Sequence, residues 1–109
     1  MADRLPGLVL ILTAVFVGIG PTAESQTESS IRRGREIALH ACAGCHAMDG
    51  APGITFQGIQ VPTLSAVAGR GWSGEQLQSF IMTPHRPMPA TPLPLSEVQA
   101  LSDYISSLQ

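Results

Sequence analysis

The chain has 109 residues, a formal net charge of −2 and 44% hydrophobic residues, which describes one small domain. All six basic residues are arginines, and no basic patch of the kind that binds nucleic acid is present; Arg32, Arg33 and Arg35 fall together on one predicted helix, the pattern of a solvated face. With two cysteines in all, nothing is left over for a disulfide framework or a second cluster.

The first residues, Met1-Ala2-Asp3-Arg4, lead into an apolar run from Leu8 to Ile19 interrupted by Thr13 and Gly18, and then into Gly20-Pro21-Thr22-Ala23. This is the order of a secretory signal over 1–23, with cleavage expected after Ala23. The run is shorter than the roughly 20 apolar residues that a membrane span needs. Asp3 in the basic region and Pro21 just ahead of the cut depart from the ideal, so an uncleaved N-terminal anchor is the alternative, and the one route by which this chain would meet a membrane. A buried core helix over 8–19 is the weaker reading, since no polar face opposes the apolar one. In a bacterium an exported chain reaches the periplasm. Glu24 to Gln109, what remains after cleavage, is marginal for a core built only of its own side chains. Its aromatic residues are few: Phe56, Trp72, Phe80 and Tyr104.

Residues 24–30 are polar and read as a loose lead-in. Ser29 or Ser30 is placed to cap a helix from Ile31 to about Cys42. That helix delivers Cys42-Ala43-Gly44-Cys45-His46, the CxxCH pattern of c-type haem attachment. Two thiols two residues apart can each close a thioether bond to one vinyl group of a single haem, and the next residue presents an imidazole to the iron. A thioredoxin-like pair needs a βαβ setting, and no strand pattern is visible. A zinc site would have to recruit His40 or His85 at no standard finger spacing. A local disulfide between residues so close is rare.

Residues 47–63, rich in Gly and Pro, read as a loop able to wrap one haem edge. Leu64–Val67 fits a single helical turn. Ser73-Gly74-Glu75-Gln76 is a capping box that starts a second helix, with Leu77, Phe80 and Ile81 on one face and Pro84 as its stop. Five prolines between Met82 and Leu95 predict a stiff, extended connection. Ser96-Glu97-Val98-Gln99 reads as another capping box, opening a last helix whose apolar stripe is Val98, Leu101, Ile105 and Leu108, with Tyr104 beside it. The expected fold class is therefore all-α: three to four short helices, long Gly/Pro-rich loops, and a covalently held haem supplying the apolar volume that the chain lacks.

A pure electron carrier closes the second axial position of the iron, and a Met thioether there favours the reduced state. Met88, between Pro87 and Pro89 in the stiff connection, is the favoured ligand, because the prolines limit the freedom lost on ordering the loop. Met82, at the end of a predicted helix, reads more simply as a core residue. Met48 is too near His46 to reach the opposite side. His85 is the nearest rival and would give a bis-His iron; His40 lies on the wrong side of the motif.

With these residues in hand, 31–109 resembles a class I cytochrome c of the short bacterial kind. Gly34, ahead of the motif, matches the glycine that lets the first and last helices cross closely, with Leu101 and Tyr104 as its expected partners. Pro62-Thr63-Leu64 resembles the P-x-L element, which implies that the Pro62 carbonyl accepts from the ligating His46 ring and that Leu64 packs on the porphyrin. Arg70, and Trp72 as a candidate donor, correspond to groups near a haem propionate. The resemblance implies one haem c held through Cys42 and Cys45, iron ligated by His46 and Met88, and one-electron exchange with a donor and an acceptor redox protein. It implies no enzyme in its own right and no small-molecule substrate. Two other classes stay open: a haem subunit of a dehydrogenase or oxidase, and a haem sensor or peroxidase-like protein with an open or labile distal position. The absence of lysine removes the steering ring of mitochondrial relatives, so docking is expected to use an apolar patch at the haem edge.

Overall fold

The computed structural model describes residues 7, 11–20, 22–48, 51–84 and 86–109. Residues 11–20 form no regular element and are exposed. Among the described residues no helix is long and apolar enough to cross a membrane. The elements that follow are α1 (Ala23–Ala41), β1 (Thr55–Phe56), β2 (Ile59–Gln60), α2 (Leu64–Ala68), α3 (Gly74–Met82) and α4 (Leu95–Ser107).

Helix α4 is the hub, with α1, α2 and α3 all packing on it. The core is Ile37 and Ala38 from α1, Leu64 and Ala68 from α2, Leu77 and Ile81 from α3, and Val98, Ala100, Leu101, Tyr104 and Ile105 from α4. The α1–α4 contact is a close crossing at Gly34. A Cβ on Gly34 would run into the Ala100 carbonyl and stand 2.7 Å from the Tyr104 Cβ. Glycine is thus required by proximity. The partners are Ala100 and Tyr104 rather than the expected Leu101 and Tyr104: Leu101 lies in the core at 2% exposure, and it is the Ala100 backbone that lies against the glycine.

Polar contacts fix the relative rotation of the two helices. The Ser30 hydroxyl donates to Asp103 at 2.6 Å, and Arg33 donates to Glu97 at 2.6 Å and to Glu36 at 3.3 Å. Hydrogen bonding to Glu97, then to Glu36, raises the Arg33 pKa above its ordinary value. The buried Ser102 hydroxyl donates to the Gly74 carbonyl at 3.1 Å, joining α4 to the start of α3.

Three local expectations are corrected. Helix α1 starts at Ala23, so the polar stretch 24–30 is helical instead of a loose lead-in. Ser30, a candidate cap, points its hydroxyl across to Asp103, and this tertiary bond outweighs the local capping signal. Helix α4 starts at Leu95 with Pro94 at the N-cap and no side-chain cap bond. The Pro94 carbonyl accepts from the Glu97 and Val98 amides at 2.9 and 3.0 Å. Ser96 therefore falls inside the first turn, and the Glu97 carboxylate is engaged by Arg33. Finally, the loop 47–63 contains an antiparallel hairpin whose strands are too short for their alternation to stand out. Thr55 pairs with Gln60 and Phe56 with Ile59, across a turn whose residues Gln57 and Gly58 both have positive φ (51° and 76°). Two left-handed residues are what a two-residue hairpin turn demands, and Gln is an uncommon choice at the first.

The expected α3 and α2 are observed. The α3 capping box has both halves, with Ser73 Oγ accepting from the Gln76 amide at 3.2 Å and Gln76 Oε1 from the Ser73 amide at 2.9 Å. Leu77 and Ile81 are buried, and α2 fills the predicted single turn.

Gly34→Ala should destabilise the haem-loaded domain by about 2 kcal/mol or more, since a helix backbone cannot move aside as a side chain can. Thermal unfolding should show a Tm lower by roughly 10 °C. Gln57→Gly should raise stability by a few tenths of a kcal/mol, on the order of the relief expected where a left-handed residue loses its Cβ, read as a shift in denaturation midpoint at constant m.

Candidate functional site

The CxxCH segment continues the last turn of α1. The Cys42 and Ala43 amides both donate to the Ala38 carbonyl at 2.9 Å, and the Cys42 carbonyl then accepts from the Cys45 and His46 amides at 3.1 and 2.8 Å. This compact turn is what holds two thiols and an imidazole close together. Both cysteines are free thiols and half-buried. Burial pushes the Cys42 thiol above its ordinary pKa, so it is neutral around neutral pH.

His46 is half-buried, and its Nδ1 lies 2.7 Å from the Pro62 carbonyl oxygen. A carbonyl can only accept, so Nδ1 carries the proton and donates, and Nε2 is left with its lone pair free for a metal. The same two segments are joined a second time, by the Leu64 amide donating to the Ala47 carbonyl at 3.1 Å. Thr63 stands between these two bonds as the N-cap of α2, its Oγ1 accepting from the Ala66 amide at 3.1 Å. Leu64 is buried at 3% exposure within the core. Cys42, Cys45, His46, Pro62 and Leu64 are therefore brought together by one short hydrogen-bonded frame.

Arg70 and Trp72 form a second group. The Arg70 guanidinium sits 5.5 Å from the centroid of the Trp72 ring, and Trp72 packs against Phe80 with centroids 5.2 Å apart and planes tilted by 56°. Arg70 itself is exposed, so its cation is available to an anion while it lies over the indole.

Met88 is half-buried and helps line an open cleft of about 730 Å³ together with Gln57, Ile59, Pro84, Arg86, Pro87, Pro89 and Ala90. The volume is in the range of about 300–1,000 Å³ for cofactor sites. Cys42, Cys45 and His46 are not in its lining, so the structure groups Met88 with the hairpin. Met82 is 51% exposed instead of packed in the core, and Met48 is half-buried at the core margin. His85, the rival ligand, lies outside the described residues.

The segment expected to wrap one haem edge as a loop carries this hairpin. Side chains alternate along a strand, so Ile54 and Phe56 share a face with their opposites Ile59 and Val61. Ile54, Phe56 and Ile59 are 40%, 41% and 51% exposed, an uncovered apolar face beside the Met88 cleft. The apolar residues at spacing two were the available signal, but the run is too short to separate from loop.

The donor set fits a covalently attached haem: two free thiols on one turn, an imidazole with its proton fixed on the far nitrogen, and apolar surface nearby left uncovered. Comparison with known proteins agrees. Residues 29–105 match the family model described as cytochrome c oxidase, cbb3-type, subunit III. The chain is 31% identical over 107 residues to cytochrome c-552 of Bradyrhizobium diazoefficiens, an alignment covering 97% of this chain and 96% of that one. No solved structure matches it significantly.

Replacing both Cys42 and Cys45 by Ala should abolish covalent attachment, leaving no haem on the polypeptide in a denaturing gel stained for haem peroxidase activity. Either single replacement should leave one thioether and a stained but spectrally shifted protein.

Proposed function

Because the chain belongs to the c-type cytochromes of the cbb3-type oxidase subunit III family, we propose that it is a periplasmic monohaem carrier that takes single electrons from one redox protein and delivers them to another. Its covalent haem c would supply the one-electron redox chemistry. What the chain contributes is attachment, orientation and tuning. Cys42 and Cys45 hold the group, and the Nε2 of His46 faces the iron. The Pro62 carbonyl, 2.7 Å from Nδ1, is the observation that carries this reading: such a bond fixes the ring and its tautomer and raises its basicity as a ligand. Met88, held by Pro87 and Pro89, would supply the second ligand to the iron. Arg70, backed by Trp72, would pair with a propionate, and Leu64 would pack against the haem. Residues 1–23 direct export and are removed.

The carrier docks through apolar contact, with Ile54, Phe56, Ile59 and Met82 as exposed candidates and no lysine to steer. A second reading, a dedicated haem subunit of an oxidase or other oxidoreductase, is favoured by the description of the family itself. Size-exclusion chromatography of the protein from its own cells separates the two: a carrier elutes at its monomer size, a subunit with a larger partner.

In the oxidised protein the far-red sulfur-to-iron charge-transfer band should be present, and Met88→Ala should lose it and bind carbon monoxide rapidly when reduced. A variant keeping the wild-type spectrum and potential removes Met88 from the iron. Electron exchange with its partners should change less than about tenfold between 50 and 500 mM salt, since few charges are available to be screened; stopped-flow rates measure this.

A further inference from the structure

In an α-helix each N–H donates to the carbonyl four residues earlier. For the Ala66 amide that carbonyl belongs to Pro62, the same oxygen that lies 2.7 Å from His46 Nδ1. The helical bond is not made. The Ala66 amide donates to Thr63 Oγ1 at 3.1 Å, and α2 takes its first backbone bond one residue later, from the Val67 amide to the Thr63 carbonyl at 3.0 Å. Thr63 has extended backbone (φ −64°, ψ 158°), which turns the Pro62–Thr63 peptide away from the helix axis.

We propose that Thr63 is a positioning residue for the haem iron: by accepting the Ala66 amide, its hydroxyl ends α2 one residue short and reserves the Pro62 carbonyl for His46. The proposal rests on His46 being an iron ligand. Without the hydroxyl, the Ala66 amide is left with no side-chain acceptor at the helix start, and a turn of the Thr63 backbone from its extended ψ of 158° toward helical values brings the Pro62 carbonyl to it. Two donors then compete for one oxygen. The bond from Nδ1 weakens, the imidazole becomes a poorer electron donor, and oxidised iron loses more stabilisation than reduced iron. The reduction potential moves in the positive direction. Neither of the other bonds here, Leu64 amide to Ala47 carbonyl and Val67 amide to Thr63 carbonyl, needs the hydroxyl. The local fold therefore survives its removal.

The test compares haem-loaded wild type with Thr63→Val, which keeps the branched shape without the acceptor, and Thr63→Ser, which keeps the acceptor without the methyl. Thr63→Ala substitutes if the valine variant does not fold. Midpoint potential and the hydrogen exchange of the His46 Nδ1–H, followed by NMR in the reduced protein, are measured for each. Thr63→Val should favour reduction about threefold, or about 30 mV at 59 mV per decade for one electron, and should speed exchange about tenfold. Thr63→Ser should stay at wild type in both. Ser102→Ala, which removes the bond from α4 to the start of α3 and destabilises without touching the Pro62–His46 frame, should leave both unchanged, which separates tuning from general loss of stability. A valine or alanine variant with wild-type potential and exchange overturns the proposal, as does a serine variant no better than valine. If the His46 ring protons of the reduced wild type lack the strong upfield displacement of a haem-bound imidazole, the ligand reading fails and the proposal with it.

Discussion

The close crossing of α1 and α4 at Gly34 is the constraint on which the rest of the molecule depends. It sets the distance between the helix that carries the haem motif and the helix against which everything else packs. With no side chain between the backbones, Ile37 and Ala38 reach the same layer as Val98, Leu101 and Ile105, and the core closes as one cluster. The bonds from Ser30 to Asp103 and from Arg33 to Glu97 keep α1 from rotating about that contact. Since Cys42 continues the last turn of α1, any rotation there would swing both thiols and the imidazole together. The geometry of the site is thus inherited from a contact that carries no chemistry of its own.

The site is economical in another sense. Within a few residues the P-x-L segment accepts from His46, donates to Ala47, caps α2 and buries Leu64 in the core. Pro62 brings a fixed φ and no amide, so its backbone has no donor of its own to satisfy. The electrostatics are sparse by comparison. Charged groups pair on the outer surface of the α1–α4 contact, and near the site the Arg70–Trp72 stack places a cation against an aromatic plane.

Much of this was legible in the sequence because the signals were chemical or had a strict spacing. CxxCH needs no context to be read, a capping box such as Ser73–Gln76 states its own start, and the apolar period of α4 is regular. What failed to show itself depended on distant partners. Ser30 looks like a helix cap until Asp103 is seen opposite it, and Ser96 looks like one until Pro94 takes the position. The hairpin was hidden because two-residue strands have no periodicity to detect and because Gln57 is not a residue that advertises a left-handed turn. Gly34 was recognisable by resemblance, yet which α4 residue it meets depends on helix rotation, which side-chain pattern fixes only to within one position.

The crossing also has a consequence for how the molecule comes into being. Ser30 and Asp103 are 73 residues apart in the chain, and helix α4, on which α1, α2 and α3 lean, leaves the ribosome or any translocation pore after all three. Contacts this non-local form late, after the entropy of closing a long loop has been overcome. Until the C-terminal end arrives, α1 has no partner for its apolar face, and the two thiols at its end stay accessible. The order of the chain thus leaves an interval in which a bulky porphyrin can be joined to Cys42 and Cys45 before the domain shuts around it.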